Sequence, residues 1–413
     1  MKKEGRVRKN NKKRLAILII AVILIGIIVG IILIKNAIVN QEVKEESKLA
    51  GGNTDSSLMA SYIKKGITIG GITGTLEAID TSDATATPEN LDYGKTAYVN
   101  GVKITGTREE NIEIGDVTGE EKENTELTDH LGNKIVIPAG FKVVNPGVNV
   151  ESGIIIEDVS AGNNETKGSQ FVWIPVGKIK TAWGEEEINL ERYAFADDGT
   201  PSTYVGNFKE ETPSEHSSSG YKNTIAKDIN EFKKSVEDNG GYYIGRYEAG
   251  DALAKNSARQ NGSGVNNQVV CKSGVYPYNW ITQPQAANLC QKMYSSNNFT
   301  SDLINSYAWD TAIVFIQECS GDKDYSRQIR LQTTLAKCGE ATDGTNKDVR
   351  CNIYDMAGNT AEFSTETNTN STLFPSTMRG GYYDNSNSPA SHRNLNSTTM
   401  PYDNVSSRVI LYL

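Results

Sequence analysis

Histidine is nearly missing from this chain. There are three in 413 residues, His130, His216 and His392, and no two sit at a spacing that could share a metal ion. That excludes a histidine-built metal centre and leaves any nucleophile short of a base. His392 follows Ser391, but adjacency in a loop supplies no oriented acid and makes no triad. Cysteine is also sparse: five residues, all between 271 and 351. Five thiols allow several pairings, and the sequence does not choose among them. Cys290 and Cys319 fall in or at the end of amphipathic stretches, where a thiol can simply be core. Positive charge is scarce beyond the first 14 residues. Those carry eight basic side chains against one acid, +7, so a net charge of −9 leaves −16 for the rest. An acidic body suits nucleic-acid phosphates poorly, which excludes that partner.

What is present begins with a run of twenty apolar residues at 15–34, LAILIIAVILIGIIVGIILI. As a helix it would be about 30 Å long, the thickness of a bilayer core. Basic residues precede it, and Glu42, Glu45 and Glu46 follow. The positive-inside rule then predicts a cytoplasmic tail at 1–14, an uncleaved signal-anchor helix at 15–35, and the remainder outside the cell membrane, extracellular and single-pass. A cleaved signal peptide is the competing reading, but no small-residue cleavage site follows the run. Residues 36–60 are polar and read as a stalk.

At this length two or three folded units are expected. Residues 61–108 hold a weak repeat, Ile-Thr-Gly-Thr at 72–75 and again at 104–107, with Asn100-Gly101 marking a hairpin. The module resembles a short β repeat of surface and tail proteins of Gram-positive bacteria and their phages. Residues 109–128 are acidic and read as a linker. From 129 to 413 lies the largest domain. Short β-type runs occur at 134–141, 153–157, 171–175 and 242–247, while 177–221 shows no periodic signal. Helices are predicted over 224–237, 284–294 and 307–319. Few helices among many short strands and loops predict an α+β fold.

Seven short motifs in this domain occur in an order that resembles the sulfatase-modifying factor, or formylglycine-generating enzyme, family. They are FVWIPVG (171–177), YYIGRYEAG (242–250), YPYNWITQPQAANLC (276–290), INSYAWDTAIVFI (304–316), NIYDMAGNTAEFSTE (352–366), TMRGGYY (377–383) and SSRVILYL (406–413). The resemblance implies a C-type-lectin-like scaffold. The family's oxidases carry two cysteines in the loop after Arg-Gly-Gly, and residues 380–413 contain none. The resemblance therefore implies the scaffold without the oxidase chemistry, and the chain is expected not to be an enzyme. A sulfatase-modifying-type enzyme with altered chemistry, or a structural surface or phage-derived appendage, stays open beside that reading.

Three features near the C-terminus are candidate sites. The turn Gly358–Glu362 could place Asn359 and Glu362 on a calcium ion, which favours clustered oxygen ligands, or could simply lock two strands. Arg379-Gly380-Gly381 offers close backbone approach, with Arg379 expected to pair with a core acid. Residues 382–407 hold six Ser, five Asn, three Tyr, two Asp, two Thr and one His. Antibody contact loops favour a similar mix, Tyr for rigid area and Ser or Asn for adaptable hydrogen bonds. These residue types are also reached from an Asn codon by changing its adenines. The segment thereby resembles the variable regions of diversity-generating-retroelement proteins; an undiversified binding loop and an inert polar loop are the alternatives. The predicted ligand-binding residues are Tyr382, Tyr383, Asp384, Asn385, Asn387, His392, Asn394, Asn396, Tyr402 and Asn404. The predicted function is non-catalytic recognition of an external protein or glycan, with no cofactor other than calcium.

Overall fold

The computed structural model describes residues 60–77, 81–91, 95–107, 114–210 and 229–413, apart from 266, 345, 369 and 372. The chain divides into two compact units, Met1–Glu110 and Asn111–Leu413. In the first, each Ile-Thr-Gly-Thr copy begins within the second strand of a small antiparallel hairpin. One pairs Thr68–Ile69 with Ile72–Thr73; the other pairs β1 (Thr96–Val99) with β2 (Val102–Thr105). Asn100 and Gly101 both take positive φ, 51° and 76°, the conformation that a two-residue type I′ turn requires.

The main strands of the second unit are, in chain order, β3 (Phe141–Val143), β4 (Ile155–Asp158), β5 (Gln170–Pro175), β6 (Phe208–Lys209), β7 (Gly241–Gly245), β8 (Thr300–Leu303), β9 (Ala361–Asn368), β10 (Ser376–Arg379), β11 (Arg393–Asn396), β12 (Val405–Ser407) and β13 (Val409–Tyr412). Its described helices are α1 (Ile229–Asn239), α2 (Gln283–Gln291) and α3 (Ser306–Ser320). Six strands form an antiparallel sheet in the order β8-β13-β7-β5-β4-β3. A second sheet runs β6-β9-β10-β11, and β12 pairs parallel with β9.

The six-stranded sheet is covered on both faces, which explains its unbroken apolar text. Phe171, Trp173, Tyr243, Val409 and Leu411 face one core. They pack with Ala286, Ala287 and Cys290 of α2 and with Phe363, Met378 and Val405 of the second sheet. Val172, Ile174, Tyr242, Ile244 and Ile410, the alternate residues, face another core with Phe232 and Val236 of α1 and Ala308, Ile313 and Phe315 of α3. Helix α3 is buried on nearly every side, and its sequence is mostly apolar apart from the buried Asp310, Thr311 and Gln317. Asn305 caps it, its Oδ1 accepting from the Ala308 N–H at 2.9 Å.

Three expectations are corrected here. The fold is mainly β rather than α+β: three α-helices stand against twenty-five strands among the described residues. The stretch read as irregular contributes hairpins such as Gly177–Thr181 with Gly184–Ile188, where only alternate residues are apolar and the solvent side is Lys and Glu. Second, no helix among the described residues is long and apolar enough to cross a membrane. The span expected at 15–35, with its tail and stalk, lies outside the described residues, so no described element carries the single-pass, extracellular, signal-anchored placement, and that placement is withdrawn. Third, residues 114–128, read as part of an acidic linker, bury Ile114, Val117 and Leu127 in the core of the second unit.

Candidate functional site

The site is rooted in two buried ion pairs. Arg408, just before β13, donates from Nε to Glu362 Oε2 at 2.7 Å and from Nη2 to Oε1 at 2.5 Å. It also donates to the carbonyls of Gly245 and Tyr354. One side chain thereby ties β9 to the six-stranded sheet. Arg379, at the end of β10, pairs with Asp310 of α3 at 2.5 Å, and Arg393 of β11 reaches the same Asp310 and Glu366 of β9. Arg379 is fully buried. It is a structural arginine paired with a core acid, as expected.

Gly380 and Gly381 then let the chain cross a crowded point. Gly380 has φ 78°, and a Cβ there would lie 2.6 Å from the Met356 carbonyl oxygen and 2.9 Å from the Trp309 ring. A Cβ on Gly381 would lie 2.1 Å from the Ala357 oxygen. The chain emerges directly beside the Gly358–Glu362 turn. The Tyr383 N–H donates to the Asn359 carbonyl at 2.8 Å, and the Asp384 N–H to the Gln332 carbonyl at 2.7 Å.

Asn359 is the hub of this turn. It holds φ 58° and is fully buried. Its Oδ1 accepts from Gln332 Nε2 at 2.8 Å and the Ala336 N–H at 2.9 Å, while its Nδ2 donates to Glu248 Oε2 at 2.7 Å. Glu248 also accepts from the Thr360 N–H and hydroxyl. Burial, then the nearby Glu362 charge, pushes the Glu248 carboxyl up to about 8, against hydrogen bonds from Thr360 and Asn359 and the Arg408 charge. The two residues expected to share calcium thus serve different partners, Asn359 the loops above it and Glu362 the Arg408 guanidinium. Among the described residues no group of three or more His, Cys, Asp or Glu is arranged to hold a metal.

The polar segment is not one loop. Strand β11 divides it into 382–392 and 397–404. The two parts meet where the Tyr383 hydroxyl donates to Asp403 Oδ2 at 2.9 Å. The Tyr383 hydroxyl is pushed up to about 12, first by burial and then by its bond to Asp403. Asn385 Nδ2 donates to the Tyr382 hydroxyl at 2.5 Å. From below, the Trp280 N–H donates to the Tyr402 carbonyl and the Ala361 N–H to the Asn404 carbonyl, each at 2.9 Å. The structure therefore brings together Tyr382, Tyr383, Asp384, Asn385, Tyr402 and Asn404, half-buried except for the exposed Asp384. Asn387 is exposed at the tip of the first loop, where its N–H donates to Asn385 Oδ1 at 2.7 Å.

His392, Asn394 and Asn396 do not join them. The His392 carbonyl accepts from Arg379 Nε and the Gly380 N–H, and burial, then the Arg379 charge, lowers its imidazole pKa. Asn394 lies in the β10–β11 ladder opposite Met378. Asn396 is buried, with Nδ2 on the Met378 sulfur at 3.5 Å.

Sequence reasoning missed Gln332, Asp403 and Glu248. Gln332 belongs to a loop without periodicity, beside an open depression of about 390 Å3 lined by Leu331, Gln332, Thr334, Ala336 and Asp343. No sequence signal points to it. Glu248 could have been noticed, as a lone acid within the apolar text YYIGRYEAG. The thiols are all held above their usual range by burial, Cys271 and Cys351 up to about 12 and Cys290, Cys319 and Cys338 also upward.

The fold and surface define a mainly β unit whose C-terminal loops rest on a buried polar hub. No family model matches the chain and no curated protein matches it, so the resemblance to the formylglycine-generating enzyme family does not extend beyond its short motifs and is withdrawn. Among solved structures, Treponema denticola variable protein 1 aligns at 12% identity with a TM-score of 0.29, over 60% of this chain and 97% of that one. An alignment that loose carries no functional argument.

Proposed function

We propose that this chain is a non-catalytic binding protein whose partner, a protein or glycan, docks on Tyr382, Tyr383, Asp384, Asn385, Tyr402 and Asn404. The observation that carries this reading is the pairing of a fixed base with an adaptable top. The loop roots are held by the Asn359 hub, the Gly380 crossing and the Trp280 and Ala361 amides. The side chains above them are Tyr and Asn, which give contact area for little entropy and versatile hydrogen bonds. The buried thiols, shifted away from the thiolate, support recognition over nucleophilic chemistry.

The test is a phage-displayed peptide library and a glycan array, each probed with the full chain and with a Tyr383→Ala/Asn385→Ala/Tyr402→Ala variant. Ligands selected on the parent should lose at least about tenfold in affinity for the variant, the loss typical of removed aromatic anchors. Selected ligands that bind both proteins equally would overturn the proposal. A finer reading is that these loops are diversified. It is supported by 19 of the 26 residues at 382–407 being Ser, Asn, Tyr, Asp, Thr or His, with Asp384, Ser386, Asn387, Thr399 and Asp403 exposed. Neighbouring DNA should then hold a reverse transcriptase and a near-copy of the coding segment differing at adenines; lack of such a template ends that reading.

A further inference from the structure

Away from the C-terminal loops, the second unit contains an open cavity of about 600 Å3 between residues 252–256, 270–275 and Lys337, bordered by Asn164 and Glu165. That volume lies within the usual range for small-ligand sites, roughly 300–1,000 Å3. Its lining carries three lysines against one acid, Glu165, the reverse of the chain's acidic balance. Lys255, Lys272 and Lys337 all line it, in a protein of net charge −9. Other lysines of the unit have carboxylate partners, such as Lys142 with Glu157 and Lys178 with Glu185. None of these three is ion-paired to a carboxylate among the described residues.

One ammonium is anchored and a second stands near an aromatic ring. Lys272 Nζ donates to the Glu165 carbonyl at 2.5 Å, which fixes it at the rim. Lys337 Nζ stands 5.8 Å from the Tyr276 ring centroid, within cation–π reach. Burial lowers the Lys272 pKa; the Asp158 charge opposes that and the Lys255 charge adds to it. The Glu157 and Glu165 charges also oppose the lowering, yet no carboxylate is in ion-pair contact, and a partly desolvated ammonium without a contact partner gains from an anionic one. The remaining lining is mixed. Val270 and Val275 are buried in the wall, Leu253 is 70% exposed beside them, and Ser273 and Asn256 offer hydroxyl and amide groups.

We propose that this cavity is a binding site for an acidic saccharide, its carboxylate or sulfate groups taken by Lys255, Lys272 and Lys337 and its ring laid against Leu253. Carboxylated and sulfated sugars share the chemistry the three ammonium groups recognise. The experiment therefore uses one of each, digalacturonate and a heparin-derived sulfated disaccharide, with cellobiose as the neutral control.

The full chain is titrated with each sugar by calorimetry, at low and at moderate salt. At least one acidic disaccharide should bind, and its affinity should fall as salt rises. A Lys272→Gln/Lys337→Gln variant should weaken that binding about tenfold, since two of three charge partners are gone. Both lysines are partly solvent-exposed, and an unchanged melting temperature shows that the variant is folded. Tyr383→Ala/Tyr402→Ala should leave acidic-sugar binding intact, which separates this site from the C-terminal surface. Preference between the two acidic sugars names the anion. No binding of either, equal binding of cellobiose, or affinity unmoved by the lysine variant would overturn the proposal.

Discussion

Glu248 is an acid whose burial, with the Glu362 charge, outweighs its hydrogen bonds and the Arg408 charge. Its carboxyl is pushed up to about 8 from an ordinary 4.5. Burial also holds Asp355 and Glu362 upward, Asp355 in addition by the Glu248 charge. The sign follows from proton binding. Between about pH 4.5 and 8 the folded state keeps a proton that the unfolded state releases, so this contribution is full below pH 4.5 and is lost as pH rises toward 8. Denaturant unfolding across that range should show stability falling with pH, by up to about 1.4 kcal/mol per pH unit for each such proton. Glu248→Gln should flatten the slope, and a Gln variant with an unchanged slope would place the effect elsewhere. Arg408 makes the opposite case, a charge fully used. Arg408→Met leaves Glu362 buried and unpaired and should cost about 3–5 kcal/mol in urea unfolding, more than surface ion-pair changes do. Because Asn359 and Glu362 already spend their oxygens on other partners, EDTA should leave the melting temperature unchanged. A chelator-dependent drop would support calcium at this turn, since a ligand of the folded state raises the transition.

At the scale of elements, the decisive crossing is Arg379-Gly380-Gly381 over the 356–359 turn. Gly380→Ala meets both a positive φ and the Trp309 ring, so it should destabilise by at least about 1–3 kcal/mol in chemical denaturation. It should also weaken any ligand of the C-terminal surface, because Tyr383 and Asp384 are aimed by the same crossing. An alanine variant with parental stability and binding would show that the backbone relaxes there freely. Strands β5 and β7 were legible because FVWIP and YYIG are buried on both faces. Helices α2 and α3 were legible within a few residues from apolar spacing. Strand β11 was not, since RNLN has no apolar period. It is held by register against β10 and by Arg393 on Asp310 and Glu366, partners 83 and 27 residues away. The candidate surface was half legible for the same reason. Tyr and Asn composition marked Tyr383 and Tyr402, but only the fold could show that Asn396 turns inward and that Gln332, from a distant loop, joins the surface.

At the scale of the molecule, the six-stranded sheet is closed by its latest strand. β13 lies between β7 and β8, so residues 409–412 sit inside the sheet rather than at an edge. Val409, Ile410 and Leu411 are fully buried and divide between the two cores. Burying each such side chain is worth roughly 1.5–3 kcal/mol, so together they rival the roughly 5–15 kcal/mol that holds a typical domain folded. The loops of the candidate surface therefore lie between β10 and β12, with β11 between them, and β12 runs directly into the strand the whole unit depends on, which fixes their base from both ends. Deleting residues 409–413 should abolish cooperative unfolding of the second unit and its near-ultraviolet circular dichroism. Removing Leu413 alone, half-buried and outside the strand, should leave a sharp transition. A 409–413 deletion that still melts cooperatively would mean the sheet closes without β13, and the loops would then lose the second anchor that the binding surface rests on.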